Sequence, residues 1–277
     1  MSTCFTVEFY EHVAHLQMCR PDELNTMTAE FWSELPELVS EIDRSASARA
    51  IVISSTGKHF SAGMDLSVFA GQSSLLGDPK VSEVGRQRAY LSQVVQKLQG
   101  SFSALESARM PVLVAIQGGC IGGAIDMVTA ADMRYATADA FFCVHEINIG
   151  MTADVGTLQR LPKIIPEGVA REMAFTGDRM PAERAREVGL VNQIFDDHES
   201  LVSGVLEIAA RIASKSPLAI WGTKEMINFT RDHSVDDSLR HIAMWQSGMF
   251  QPGDMMEEFA AKAEKRPASF EGLPPRP

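Results

Sequence analysis

Two short runs, AIVIS at residues 50–54 and VLVAI at residues 112–116, constrain this chain more than any other feature, because neither alternates with polar residues. A strand that is apolar on both faces must be covered on both, which places it inside a largely parallel sheet flanked by helices. Each run leads into a glycine turn, FSAGMD at residues 60–65 and GGCIGGAID at residues 118–126, and the second turn opens a helix. This repeated strand, glycine turn and helix rhythm predicts an α/β fold.

The rest of the chain fits around that rhythm. Residues 5–19 alternate apolar and polar positions on either side of Glu11 and His12, the pattern of a β-hairpin. Thr28 is a suitable N-cap for a helix running to about Arg44, in which Phe31, Leu35, Leu38 and Ile42 recur at helical spacing and Pro36 is expected to introduce a kink. Residues 70–82 read as a loop rich in Gly, Ser and Pro, and a long amphipathic helix follows over residues 84–106. From residue 199 the pattern is almost wholly helical: one helix to residue 214, then 217–231, 234–249 and 254–265. This shift divides the chain into a core, residues 1–197, and an appended helical segment, residues 198–277. Within that segment Ile227, Leu239, Ile242, Trp245 and Met249, with Met255 and Met256 nearby, form an apolar stripe. Such a stripe packs either against the chain's own core or against another subunit.

Composition excludes several function classes. With 277 residues, 45% hydrophobic and 22% charged, the chain has the makings of a soluble globular protein with a sizeable core. Its longest apolar stretches are too short to cross a bilayer, and neither a signal-peptide pattern nor a C-terminal peroxisomal tripeptide is visible, so a cytoplasmic protein without membrane insertion is expected. A net charge of −11 repels phosphate backbones, so no nucleic-acid partner is expected. Cys4, Cys19, Cys120 and Cys143 lack CxxC spacing, and the histidines lack HxxxH or HExxH spacing, so we expect neither a metal site nor a disulfide framework. The cysteines read as buried small hydrophobes.

The chemistry concentrates between residues 118 and 162, where Asp126, Glu146 and Asp154 stand among apolar or small residues. An ionised carboxylate in apolar surroundings is expensive to desolvate, so such groups pair, take up a proton or do chemistry, and neighbouring ones perturb each other's pKa. Taken singly each has a plainer reading: Asp126 as a first-turn acid complementing a helix dipole, and Asp154 as the N-cap of a helix beginning near Val155. His145, one residue from Glu146, would face the other side of a strand and reads as structural. The two glycine turns are open to two readings as well, as packing turns or as paired backbone N–H donors forming an oxyanion hole. Neither fits GxGxxG or a P-loop, and GxSxG is absent.

The segments FSAGMDL, PVLVAIQGGCIGGAIDMVTAADMRYATADAFF and ADVGTLQRLPK, with RPDELNTM near the start and KRPASFEG near the end, resemble the enoyl-CoA hydratase/isomerase family, also called the crotonase family. The resemblance spans nearly the whole chain. Within the family the chain is most similar to the Δ3,5-Δ2,4-dienoyl-CoA isomerase group, which matches it in an aspartate, a glutamate and an aspartate at the positions of Asp126, Glu146 and Asp154, and in RDHSVDDSL at residues 231–239. Hydratases of the family typically carry two glutamates and a glycine there, which makes Asp154 the discriminating residue.

The resemblance implies a crotonase-like spiral of repeated β-β-α turns followed by a helical C-terminal segment that builds homotrimers or homohexamers. It implies an acyl-CoA substrate, an isomerase of fatty-acid β-oxidation, and no metal or redox cofactor. Asp126, Glu146 and Asp154 are then the catalytic acids, and the backbone N–H groups of Met64 and Gly123 form the oxyanion hole. Ala62, Gly63, Asp65 and Gly122 line the substrate, and Ala124 stands where many relatives have a third glycine. Lys58 and Arg20 are the candidate cations for CoA, and residues 68–90 the candidate lining of the acyl pocket. The alternatives are an enoyl-CoA hydratase using Asp126 and Glu146, or a non-catalytic acyl-CoA-binding member.

Overall fold

The computed structural model describes residues 3–68, 83–250 and 252–276. The loop expected at residues 70–82 lies outside the described residues. In chain order the elements are β1 (Phe5–Tyr10), β2 (Val13–Met18), α1 (Phe31–Ser45), β3 (Ala50–Ser55), α2 (Val84–Ser107), β4 (Val112–Ile116), β5 (Gly119–Ile121) and α3 (Gly123–Ala130). They continue with β6 (Met133–Thr137), β7 (Phe141–Cys143), α4 (Thr157–Arg160), α5 (Glu167–Thr176), β8 (Met180–Pro181), α6 (Ala182–Glu187) and β9 (Gln193–Phe195). Four helices close the chain: α7 (His198–Ala213), α8 (Pro217–Thr230), α9 (Val235–Met249) and α10 (Pro252–Glu264).

Six strands form one sheet in the order β1-β2-β3-β4-β6-β9, parallel throughout except for the β1-β2 hairpin. The two apolar runs became its central strands, and every residue of β3 and β4 is buried. Pleating sends alternate residues to opposite faces. Ile51 and Ile53 join Phe31, Leu35, Phe102 and Leu105 of α1 and α2 on one side, while Ala50 and Val52 join Leu201, Val205 and Ala209 of α7 on the other. Each such Ile, Leu or Val contributes roughly 1.5–3 kcal/mol by leaving water, which is why both covers are needed. α7, the first helix beyond residue 197, lies directly on the sheet and so belongs to its core packing. The helices beyond it are tied back by Lys224 of α8, which donates to the carbonyls of Leu105 and Met110 and pairs with Asp132 at 2.8 Å.

α1 departs from expectation in one detail. Its N-cap is Glu30, without a side-chain cap bond, rather than Thr28. Pro36 is accommodated inside the helix: it has no N–H to offer the carbonyl of Trp32, and the Ser101 hydroxyl on α2 donates to that carbonyl instead, at 2.9 Å.

A second, three-stranded sheet, β5-β7-β8, grows out of the second glycine turn. A single bridge, Ser61↔Cys120, attaches the first turn to it, and a second, Met27↔Met64, ties that turn to the segment before α1. Ser61 N–H donates to the Gly119 carbonyl and Ile121 N–H to the Ser61 carbonyl, both at 3.1 Å. The two glycine turns, separated by more than fifty residues in sequence, are thus stitched side by side.

Candidate active site

Backbone contact between the turns is close enough to demand glycine. Gly63 has φ +87°, and a Cβ there would meet the Ile121 carbonyl oxygen at 2.6 Å and Gly123 N at 3.2 Å. A Cβ on Gly123 would in turn stand 3.7 Å from Met64 N. Around this contact the amides are committed: Gly63 N–H to Ser61 Oγ, Asp65 N–H to Met27 O, Gly122 N–H to Cys143 O and Ile125 N–H to Gly122 O. Among the described residues the amides of Met64 and Gly123 donate to nothing. Ala62 is held by a bond to Leu24 O, and Ala124 is fully buried in the core. Asp65 accepts from Thr26 Oγ1, Ser67 N and Ser67 Oγ, and these bonds hold its carboxyl below the usual range. Its visible work is to clamp the first turn.

The three acids arrive from three elements. Asp126, in the first turn of α3, is buried rather than a surface acid, and its Oδ1 accepts the Thr157 N–H at 2.6 Å. Burial, reinforced by the charge of Glu146, pushes its pKa to about 7 against the pull of the Thr157 bond, with Asp154 adding a smaller push. Glu146 opens the 3-10 turn Glu146–Ile149 beyond β7 and lies over Gly122, where a Cβ would stand 3.4 Å from its Oε1. Burial and then the charge of Asp154 raise its pKa, and its Oε2 is buried with no hydrogen-bond partner among the described residues. An unpartnered buried carboxylate oxygen is a costly feature to retain without a use. Asp154 is exposed, yet the protein around its carboxyl raises its pKa as well.

Asp154 is not a helix cap. α4 starts at Thr157 with Gly156 in the cap position and no side-chain bond, and the Asp154 carbonyl is engaged instead by Gln99 Nε2 at 2.7 Å. His145 lies past the end of β7, so strand alternation does not govern it; its ring is exposed and meets Asn148 Nδ2 at 3.2 Å. Arg20 directs one guanidinium nitrogen to Thr26 O, at 3.4 Å, and Lys58 is exposed just before the first turn. Among the described residues no cluster of three His, Cys, Asp or Glu is arranged to hold a metal, and no helix is long and apolar enough to cross a membrane. All four cysteines are free; Cys4, Cys120 and Cys143 are buried, and Cys19 only partly so.

Sequence reasoning missed the groups that aim these acids. The Thr157 amide and the Gln99 side chain act across 31 and 55 residues, and Arg160, though only five residues from Val155, is anchored by Glu106 at a separation of 54. The assembled site can hold and release protons at separate points and offers two uncommitted amide donors beside them.

Residues 8–273 match the family described as enoyl-CoA hydratase/isomerase. The mitochondrial Δ3,5-Δ2,4-dienoyl-CoA isomerase of Homo sapiens is 44% identical over 257 residues, which are 92% of this chain and 77% of that protein. The peroxisomal Δ3,5-Δ2,4-dienoyl-CoA isomerase of Arabidopsis thaliana is 38% identical over 261 residues, 94% of this chain and 93% of that one. Among solved structures, an enoyl-CoA hydratase from Bacillus anthracis superposes with a TM-score of 0.87 at 27% identity, covering 98% of this chain and 100% of that one. That likeness bears out the crotonase fold. The cytoplasmic placement expected above is overturned by the two isomerases, which are named as mitochondrial and peroxisomal proteins. Compartment is set by an address that a receptor reads, and composition and folded core carry no trace of it. On the family match and these relatives together, the chain belongs to the enoyl-CoA hydratase/isomerase family.

Proposed function

We propose that this chain converts a 3,5-dienoyl-CoA into a 2,4-dienoyl-CoA, with Asp154 as base and Glu146 as acid. It is an isomerase of the kind for which its relatives at 38–44% identity are named, and β-oxidation is the setting of that chemistry. The observation that carries the assignment of roles is the third carboxylate, Asp154, electrostatically coupled to the buried Asp126 and the half-buried Glu146.

The reaction removes a proton at C2 and adds one at C6, passing through a dienolate whose charge lies partly on the thioester oxygen. Asp154 is the most exposed of the three and so the one best able to ionise at neutral pH and take the C2 proton. The uncommitted amides of Met64 and Gly123 supply an oxyanion hole for the thioester oxygen, with Ala62, Gly63 and Gly122 as the backbone wall that lets substrate approach. Glu146, through its unpartnered Oε2, delivers a proton to C6. Asp126, whose pKa is pushed up to about 7, interacts with Glu146 through charge, so the two acids titrate together and a proton is retained within the pair. A redox-neutral proton shift of this kind needs no metal or redox cofactor; the CoA thioester is itself the substrate, for whose phosphates Arg20 and Lys58 are the candidate partners.

The apolar residues of α8–α10 support a homotrimer or homohexamer. Ile227, Leu239, Met244, Met256 and Phe259 are each more than half exposed in the single chain, an unusual amount of apolar surface for one end of a molecule.

Mixing purified protein with a 3,5-dienoyl-CoA and following the ultraviolet absorbance of the conjugated 2,4-dienoyl thioester tests the reading directly. Asp154→Asn, which deletes the proton acceptor at nearly constant volume, is expected to lower turnover by at least about 100-fold with little change in acyl-CoA binding. Unchanged turnover would remove Asp154 from the mechanism. Brisk hydration of a 2-enoyl-CoA without isomerisation would instead assign Asp126 and Glu146 to a hydratase, and silence in both assays would point to acyl-CoA binding without catalysis.

A further inference from the structure

The span that presents Asp154, residues 153–156, has no regular structure before α4 begins, yet it must hold a carboxylate in register with a substrate carbon. A misplacement of about 1 Å can cost on the order of 100-fold in rate, so something outside the span must fix it. That support comes from one face of α2, where Gln99, Ser103 and Glu106 recur at spacings of four and three.

Gln99 Nε2 donates to the Asp154 carbonyl at 2.7 Å, a single neutral bond at the surface. The second tie is ionic and more enclosed. The Arg160 guanidinium lies against Gly156, where a Cβ would fall 1.8 Å from Nη1; that residue has φ +135°, so only glycine suits the position. Arg160 donates to the Val155 carbonyl at 3.4 Å and to Ser103 Oγ at 3.1 Å, and pairs with Glu106 Oε2 at 2.7 Å. The other Glu106 oxygen takes Arg231, immediately past the end of α8, also at 2.7 Å. The Glu106 side chain is 17% exposed and that of Arg160 13%. Burial alone would raise the pKa of Glu106, but the bonds from Arg160 and Arg231 outweigh it and hold the carboxyl below its usual range. A carboxylate bonded on both oxygens by guanidinium groups is a stiff connection, because charge-assisted bonds in partly dry surroundings tolerate little displacement.

We infer that Glu106 is a positioning residue for Asp154: by joining Arg160 to Arg231 it ties the span carrying the base both to α2 and to the end of α8. The seating of the C-terminal helices is thereby felt at the site. The inference rests on the reading of Asp154 as the base, and its test separates the two.

The experiment is a double-mutant cycle on the full chain with the dienoyl-CoA absorbance assay, using Glu106→Gln, Asp154→Asn and the pair together. Glu106→Gln is expected to lower kcat about 10-fold with KM within about twofold, and to change kcat less than about twofold when Asp154 is already Asn, because a misplaced group that no longer reacts has nothing further to lose. Arg231→Gln, a milder change at a residue one-third exposed, is expected to follow the same pattern at smaller amplitude and carries the cycle if Glu106→Gln does not fold. Wild-type kcat in Glu106→Gln, or an equal fold-loss in both backgrounds, would overturn the positioning role and leave Asp154 as base. Wild-type turnover in Asp154→Asn would overturn the base assignment and the inference with it.

Discussion

Asp126 carries the clearest conflict between stability and use in this molecule. Folding buries its carboxyl and raises its pKa from 3.8 to about 7, so the folded chain binds a proton that the unfolded chain has released over that window. Stability contributed by the protonated form is therefore present in full below about pH 4 and lost as pH rises through 7. Asp126→Asn keeps an oxygen to accept the Thr157 N–H and removes the charge. Its stability relative to wild type is expected to improve by about 2 kcal/mol between pH 5 and pH 8, read from urea or thermal unfolding at matched protein concentration, while isomerase turnover falls. Parallel stability curves for the two proteins would mean that the carboxyl is not held protonated. That three acids stood among apolar residues was legible in the sequence. Which of them is buried was not, since the same first-turn aspartate on an exposed helix would have been an ordinary dipole partner.

Elements show the same division. The apolar runs predicted β3 and β4 closely because strands covered on both faces have no polar positions to spare, and the helical period placed α7 to α10 within a residue or two of their observed ends. Where the sequence is silent, a distant partner decides. Pro36, read inside the helix from the sequence, is accommodated in α1 with Ser101, on another helix, donating to the carbonyl that the proline leaves without a partner. The glycine turns are the strictest case: Gly63 is irreplaceable by virtue of a carbonyl at residue 121. Gly63→Ala combines a left-handed φ with a 2.6 Å contact on backbone, and is expected to destabilise the protein by about 2 kcal/mol or more and to reduce turnover as the Met64 amide shifts. Wild-type urea midpoint and kcat together would show that the turn relaxes without cost.

At the scale of the whole molecule, one helix of the C-terminal segment completes the sheet's second cover and the other three present apolar surface outward. Leu239 on α9 is 62% exposed in the single chain, and for the proposed trimer or hexamer Leu239→Glu is expected to leave the fold intact by circular dichroism while lowering the light-scattering mass toward that of a single chain. A mass equal to that of the unaltered chain would remove Leu239 from the proposed contact. The sequence by itself determined the α/β class, the parallel central strands, the helical C-terminal segment and the three acids worth watching, because each of these is written in local periodicity or in residue types out of keeping with their neighbours. Only the tertiary structure decided that two glycine turns lie in backbone contact with the Met64 and Gly123 amides uncommitted among the described residues, that Asp126 is buried against Thr157, and that Arg160, Glu106 and Arg231 brace the span carrying Asp154. These are contacts between residues far apart in the chain, set by how strands register and helices stack, and no local pattern of residues encodes a distance of that kind.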